Sequence, residues 1–229
     1  MKTKLTLLAS SAVALLAIAA PAQAANGWYV SVFGGANWSD DHSISAATST
    51  TISADTLSWT ADSDAGFVVG GAVGMQLNQV APGLRAEVEV AYRQNNFNGL
   101  WSTFTATGGT SSGTIDYDFS NFSVLANVWY DFDIGGVKPY VGGGIGWANA
   151  QADGSIAGGT TAAFDFEEDG FAWQIGAGVN FDIAPSMKLG LGYRYFVGPD
   201  VPVALSSSTA TGDLDNENHT ALVNLTFGM

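Results

Sequence analysis

The chain of 229 residues contains no cysteine, which excludes a disulfide framework and any thiolate metal site. It is also poor in positive charge. Seven Lys and Arg stand against 21 Asp and Glu, for a formal net charge of −14. So acidic a chain is unsuited to nucleic acid, whose phosphates need a basic surface. Long apolar runs are missing too. Beyond residue 24 no stretch approaches the roughly 20 apolar residues of a membrane helix. Any route into a bilayer must therefore be built from strands closed into a barrel, because the backbone has no water there to bond with.

The N-terminus is the exception. Lys2 and Lys4 precede an apolar segment over residues 5–20, and Ala22-Gln23-Ala24 follows Pro21 as a small-x-small cleavage pattern. Residues 1–24 are expected to be a cleaved signal peptide, and residues 25–229 a single barrel domain without a linker. A membrane-anchoring helix is the alternative, and the shortness of the apolar run weighs against it. Loss of Lys2 and Lys4 makes the mature chain two charges more negative.

What the sequence has in plenty is alternation. Over residues 28–38, Trp28, Val30, Val32, Ala36 and Trp38 share one face, while Ser31, Gly35 and Asn37 share the other. Period two marks a strand. Seven further segments repeat it. Residues 66–78 set Phe67, Val69, Val73, Met75 and Leu77 outward, against Gly70, Ala72, Gly74 and Gln76. Residues 85–93 set Ala86, Val88, Val90 and Tyr92 against Arg85, Glu87, Glu89 and Arg93. Residues 119–132 alternate about Phe122, Val124, Ala126, Val128 and Tyr130, with Ser123, Asn127 and Asp131 behind them. In 138–150, 171–181, 189–195 and 220–227 the inward positions hold Tyr140, Gln174, Asn180, Arg194, Thr220, Asn224 and many glycines. Strands that are greasy outside, small or polar inside, and aromatic at their ends suit a closed barrel in lipid.

The connections alternate in length. Those near 80–83, 133–136 and 182–187 are short. Those near 39–65, 95–118, 151–170 and 198–218 are long and rich in Ser, Thr, Gly and Asp, and are expected to be loops. Short periplasmic turns and long outer loops are the usual arrangement of an outer-membrane barrel. The fold expected is therefore all-β: an eight-stranded antiparallel up-and-down transmembrane β-barrel in the outer membrane of a Gram-negative bacterium. Both mature termini would then be periplasmic. A soluble barrel or sandwich is disfavoured, because the inward positions lack the abundant Lys and Glu of a solvated sheet face.

Several short motifs occur in order: Gly27-Trp28-Tyr29-Val30, Leu84-Arg85-Ala86-Glu87-Val88-Glu89, residues 139–146 (PYVGGGIG), Tyr193-Arg194-Tyr195-Phe196 and Glu217-Asn218-His219. Together they resemble the proteobacterial outer-membrane β-barrel proteins of the opacity-protein-like surface antigen and outer-membrane-protein-A-like superfamily, across essentially the whole mature chain. The resemblance implies the barrel and its location, and a dependence on the barrel-assembly machinery. It does not imply one activity, because the family spans adhesins, structural proteins and small channels. One departure concerns assembly: family members usually end in an aromatic residue, whereas here Phe227 is followed by Gly228 and Met229.

Candidate chemistry lies in three places. In the lumen, Arg85, Glu87, Glu89, Arg93 and Arg194 are expected to form an ion-pair network, with Arg194 reaching across from the facing strand. Such a network is either a plug or a gated ion path, since an eight-stranded interior is only wide enough for side chains. The inward glycines at 142, 144, 146, 176, 178, 190 and 192 leave one wall bare, as room for other side chains or as a narrow water path. At the outside, sixteen of the 21 acidic residues fall in the long connections. Asp165, Glu167, Glu168 and Asp169 are the densest group. They form either a solvated, self-repelling surface or a site for divalent cations that bridge to lipopolysaccharide. The third place is the pair of histidines, His42 and His219, for an outer-rim lipid or peptide hydrolase. Adjacency of Asp40, Asp41, His42 and Ser43 does not build one, because neighbours on a strand point apart.

The function expected is a structural or surface-interaction role without catalysis, cofactor or resident metal: a scaffold that presents acidic extracellular loops. A narrow porin-like channel for ions or small solutes is the alternative, and the rim hydrolase comes third. The partners expected are outer-membrane lipid and lipopolysaccharide, the assembly machinery, and divalent cations at the loops.

Overall fold

The computed structural model describes residues 27–40, 42–50, 53–104, 109–158, 160–204 and 211–228; the expected signal peptide lies outside them. Twelve strands follow one another: β1 (Trp28–Ser39), β2 (His42–Thr50), β3 (Ser53–Ser63), β4 (Gly66–Gln76), β5 (Leu84–Phe104), β6 (Thr110–Asp131), β7 (Val137–Gly158), β8 (Thr160–Ala184), β9 (Met187–Val197), β10 (Val201–Ala204), β11 (Thr211–Leu214) and β12 (Glu217–Phe227). Eight of them, in the order β1-β4-β5-β6-β7-β8-β9-β12, close into an antiparallel ring. The ring is sealed where β12 returns to β1, from Val30↔Phe227 to Ser39↔Asn218. This is the eight-stranded up-and-down barrel expected from the alternation, and closure leaves it no open edge.

Three tight turns join ring strands at one end. In the first, Gly83 takes φ +83°, its N–H donates to Asn78 Oδ1 (3.1 Å), and its carbonyl accepts from the Asp131 N–H (2.8 Å). A side chain is disfavoured at that φ.

The other end departs from expectation. The segments read as loops are mostly paired strand. β5 to β8 are 21, 22, 22 and 25 residues long, where about 9–11 suffice to cross a bilayer. β2 and β3 form a hairpin, and β3 continues the sheet along the upper half of β5, from Thr56↔Phe104 to Ser63↔Phe97. β10 and β11 form a second hairpin between β9 and β12.

These ribbons hold together because the sense of the alternation reverses along the same strands. On β6 every odd residue from Ile115 to Trp129 is buried and every even one is more exposed. Toward the short turns the outward residues are Phe122, Val124, Ala126 and Val128, with Asn121, Ser123 and Asn127 inside. Toward the hairpin end the outward residues become Asp116, Asp118 and Ser120, and the inward ones Ile115, Tyr117 and Phe119. β5 switches likewise between Tyr92 and Gln94, and β8 between Phe171 and Asp169. One half is thus folded for lipid and the other for water, within single unbroken strands. In the water half an apolar core forms from Phe97, Ile115, Tyr117, Phe119, Val201 and Leu214, flanked by Trp101, Phe164 and Phe166. Phe97 and Tyr117 stack at 4.8 Å with their planes 4° apart.

Candidate functional site

The lumen is occupied in layers. Nearest the short turns, Arg85 is held by two carboxylates. Its Nε lies 3.1 Å from both oxygens of Asp131, and its Nη1 lies 3.3 Å from Glu87 Oε2 and 3.1 Å from Tyr29 Oη. The rings of Tyr29, Trp129 and Tyr140 surround its guanidinium, with centroids 5.2–5.8 Å away. Glu87 also accepts from Tyr29 Oη (2.8 Å), Trp129 Nε1 (2.8 Å) and Asn127 Nδ2 (3.1 Å). A buried carboxylate with this many donors is satisfied rather than waiting for a ligand.

The next layer centres on Glu89, which is fully buried. It accepts from Arg194 Nη1 across the lumen, from Asn127 Nδ2 (3.0 Å) and from Gln174 Nε2 (3.2 Å). Arg93 Nη2 stands farther away, at 4.0 Å. Arg93 instead donates Nη1 to Ser123 Oγ (3.0 Å) and lies 4.1 Å over the Phe196 ring, while its Nε and Nη2 have no hydrogen-bond partner. The structure therefore brings Arg85, Glu87, Glu89, Arg93 and Arg194 together. It adds Asp131, so that three cations face three anions.

Above the charges lies a layer of amides, of which the alternation places only Asn37 and its partner Thr220 on the inward face. Asn37 Nδ2 donates to Asn95 Oδ1 (2.5 Å) and Asn218 Oδ1 (2.7 Å), and Thr220 Oγ1 donates to Asn37 Oδ1 (2.7 Å). Asn218 donates to Asn216 (3.0 Å), which exchanges two hydrogen bonds with Asn121 (2.9 and 2.7 Å). The apolar core of the hairpin end then covers this layer.

The inward glycines give their room to neighbouring side chains. A Cβ on Gly178, Gly142 or Gly146 would first press on a carbonyl oxygen of the paired strand, and then on Tyr140 Oη (2.6 Å), Trp129 Cε3 (2.7 Å) or Leu125 Cδ2 (3.0 Å). A cavity of about 20 Å³ between Ser31, Arg85, Tyr140 and Asn224 holds room for about one water.

At the hairpin end the acidic group is split by the strand period. Asp165, Glu167 and Asp169 face outward on β8 and accept from Gln151 (3.5 Å), Asn149 (2.9 Å) and Trp147 Nε1 (3.0 Å) on β7. Glu168 is on the opposite face. Among the described residues no three His, Cys, Asp or Glu side chains converge as a metal site. Asp118, Asp153 and Asp165 are direct cross-strand partners in one row. His219 meets Tyr193 Oη at Nδ1 (2.5 Å), with Asp40 Oδ1 3.9 Å from Nε2; these neighbours are a phenol and a carboxylate, not a serine. The His42 side chain lies outside the described residues.

Residues 8–227 match the outer membrane protein beta-barrel domain family. An uncharacterised protein of Brucella abortus (strain 2308) is 35% identical over 86 residues, which are 33% of this chain and 30% of the relative; a protein of Brucella suis biovar 1 (strain 1330) matches to the same extent. The chain thus aligns with about 30% of the length of the curated relatives it matches. Among solved structures, Neisserial surface protein A is similar at 19% identity and a TM-score of 0.47, with 89% of this chain and 98% of that one covered. The outer membrane protein OprG from Pseudomonas aeruginosa is similar at 16% and 0.47, covering 88% and 96%. With a family match over nearly the whole sequence, and a closed ring of eight antiparallel strands belted in apolar side chains, the chain belongs to the outer membrane protein beta-barrel family, whose place is the Gram-negative outer membrane.

Proposed function

We propose that this barrel is a non-catalytic surface scaffold. Its hairpin end faces outward and its short turns and termini face the periplasm. The barrel anchors the chain, and the long β-ribbons present an acidic outer face. The observation that carries this reading is the stacked filling of the lumen: a neutralised ion-pair layer, an amide layer and an apolar core in series. An ion would have to displace charge-assisted hydrogen bonds and then cross a greasy cap, so the ribbons rather than the bore are the working part. Two further partners belong to the same proposal. The assembly machinery inserts the barrel, and lipopolysaccharide surrounds its outer rim, with divalent cations between the phosphates and the ribbon carboxylates.

The test is single-channel recording of the refolded mature protein in planar bilayers, after heat-modifiable gel migration has shown that it is folded. A silent bilayer is expected. Discrete conductance that changes on Arg93→Ala would overturn the scaffold reading in favour of a narrow channel.

A further inference from the structure

The seam between β1 and β12 carries a surface feature that neither anchoring nor display uses. On the lipid-facing side Gly34 is flanked by Val69 on β4 and Val223 on β12, and Val32 lies opposite Leu225. These residues line a groove of about 250 Å³. Nothing fills the space over Gly34: a Cβ there would meet no atom closer than the Val68 carbonyl oxygen, at 3.6 Å. Following the same face toward the hairpin end, Ala36 pairs with Ala221 and Trp38 with His219. Four residues of strand separate Gly34 from Trp38, roughly 13 Å. A polar cluster thus stands above the groove on the same face of the seam.

That cluster has a defined chemistry. The Trp38 ring stacks on the His219 imidazole (6.2 Å, 16°), and the Tyr195 ring lies 5.1 Å from it. Glu217 accepts from Tyr195 Oη (2.5 Å), and Asp40 stands beside His219 with its side chain 74% exposed. No Lys or Arg serves it. The five basic residues after position 24 are Arg85, Arg93 and Arg194 in the lumen and Lys138 and Lys188 on β7 and β9 toward the short turns. A headgroup bearing only phosphate meets two carboxylates here and no Lys or Arg. An ammonium meets those carboxylates beside the rings of Trp38 and Tyr195, a combination that attracts cations.

We propose that the β1–β12 seam docks one membrane lipid whose headgroup carries a protonated amine. Its acyl chain lies in the groove over Gly34, and its ammonium sits between Glu217 and Asp40 at the edge of the row of Trp38, His219 and Tyr195. The proposal rests on the barrel being in lipid and not on a silent lumen, so a conducting bore would overturn the scaffold reading and leave the lipid site standing.

The experiment is native mass spectrometry of the folded barrel released from micelles doped with equal amounts of phosphatidylethanolamine and phosphatidylglycerol. One retained lipid is expected, with the ethanolamine lipid favoured by about threefold. Gly34→Leu, which fills the groove without a backbone clash, is expected to abolish retention of either lipid. Asp40→Asn combined with Glu217→Gln is expected to keep the lipid and lose the preference. Equal retention of the two lipids by the unaltered barrel, or a preference that survives the double substitution, would overturn the proposal. Heat-modifiable migration of each variant separates a lost site from a lost fold.

Discussion

Glu89 is the point on which the lumen charge balance turns, and Glu89→Gln is the sharpest way to test it. The substitution keeps the volume and one acceptor oxygen but removes the charge. Arg85 retains Glu87 and Asp131, so the uncompensated cation falls on Arg194 and Arg93. The Arg93 contact at 4.0 Å is worth about 4 kcal/mol at an effective dielectric constant near 20, and breaking a buried pair by removing one partner typically costs 3–5 kcal/mol. A loss of about 3–5 kcal/mol is expected. It is measured by reversible urea unfolding in lipid vesicles, with tryptophan emission and the heat-modifiable gel band as concurrent probes. Arg93→Met in the Glu89→Gln background removes the like-charged neighbour but also gives up the guanidinium over Phe196, a contact of about 2 kcal/mol when desolvated. The double variant is therefore expected to regain about half of the loss. A single-substitution cost below about 1 kcal/mol, or no recovery in the double variant, would refute the balanced-lumen argument.

Other expectations concern the hairpin end. Phe97→Ala removes a fully buried ring stacked on Tyr117 and is expected to cost about 3–5 kcal/mol locally; limited proteolysis should then nick the ribbons while the membrane-embedded fragment stays heat-modifiable. Burial pushes the Tyr117 hydroxyl well above the ordinary tyrosine range. Its proton is held more tightly folded than unfolded, so stability is constant below about pH 10 and falls as pH rises further. Tyrosinate absorbance should accordingly show Tyr117 silent until the cap opens, and a Tyr117→Phe chain should show one fewer late-titrating group. Asp118 is the direct cross-strand partner of Asp153, which pairs in turn with Asp165; Asp118→Asn should stabilise the ribbons by about 0.2–1 kcal/mol at low salt, with the gain shrinking as salt screens the row.

The ring was legible in the sequence because a bilayer imposes a single rule on every crossing strand. The apolar face had to be Phe122-x-Val124-x-Ala126-x-Val128, and the three short turns had to sit between the paired segments. Arg194 could be placed opposite the Glu87 and Glu89 carboxylates for the same reason, as an inward residue on a strand across a narrow barrel. The ribbons were harder because their composition is that of a loop. Ser, Thr, Gly and Asp between membrane strands suggest disorder until the parity of the few apolar residues is followed. Ile115, Tyr117 and Phe119 have the parity of Asn121 and Ser123, not of Phe122 and Val124. That shared parity was the available signal for a continuous strand with its solvent exchanged. The asparagine layer left no such mark, because Asn37, Asn95, Asn121, Asn216 and Asn218 come from distant segments and only the ring closure and the β10–β11 hairpin bring them together.

The exchange of polarity also explains why the asparagines sit where they do. Below them the outward face is lipid, and the inside must be polar enough to satisfy three arginines. Above them the outward face is water, and the inside must be apolar to hold ribbons that no membrane supports. At the level where the two regimes meet, the interior borders charged groups on one side and aromatic rings on the other. A side chain there has to end hydrogen-bond chains without introducing net charge. Asparagine does this: it is neutral, short, and both donates and accepts, so five of them can satisfy one another within a single layer. A charged residue would lack a counter-ion on the apolar side, and a leucine would orphan the amides beside it, at about 1–3 kcal/mol for each unsatisfied group. The layer is thus a consequence of running one set of strands through two solvents. Replacing Asn37 by Leu, which strips partners from Asn95, Asn218 and Thr220 at once, should therefore loosen the ribbons and the membrane half together, whereas Phe97→Ala loosens the ribbons alone.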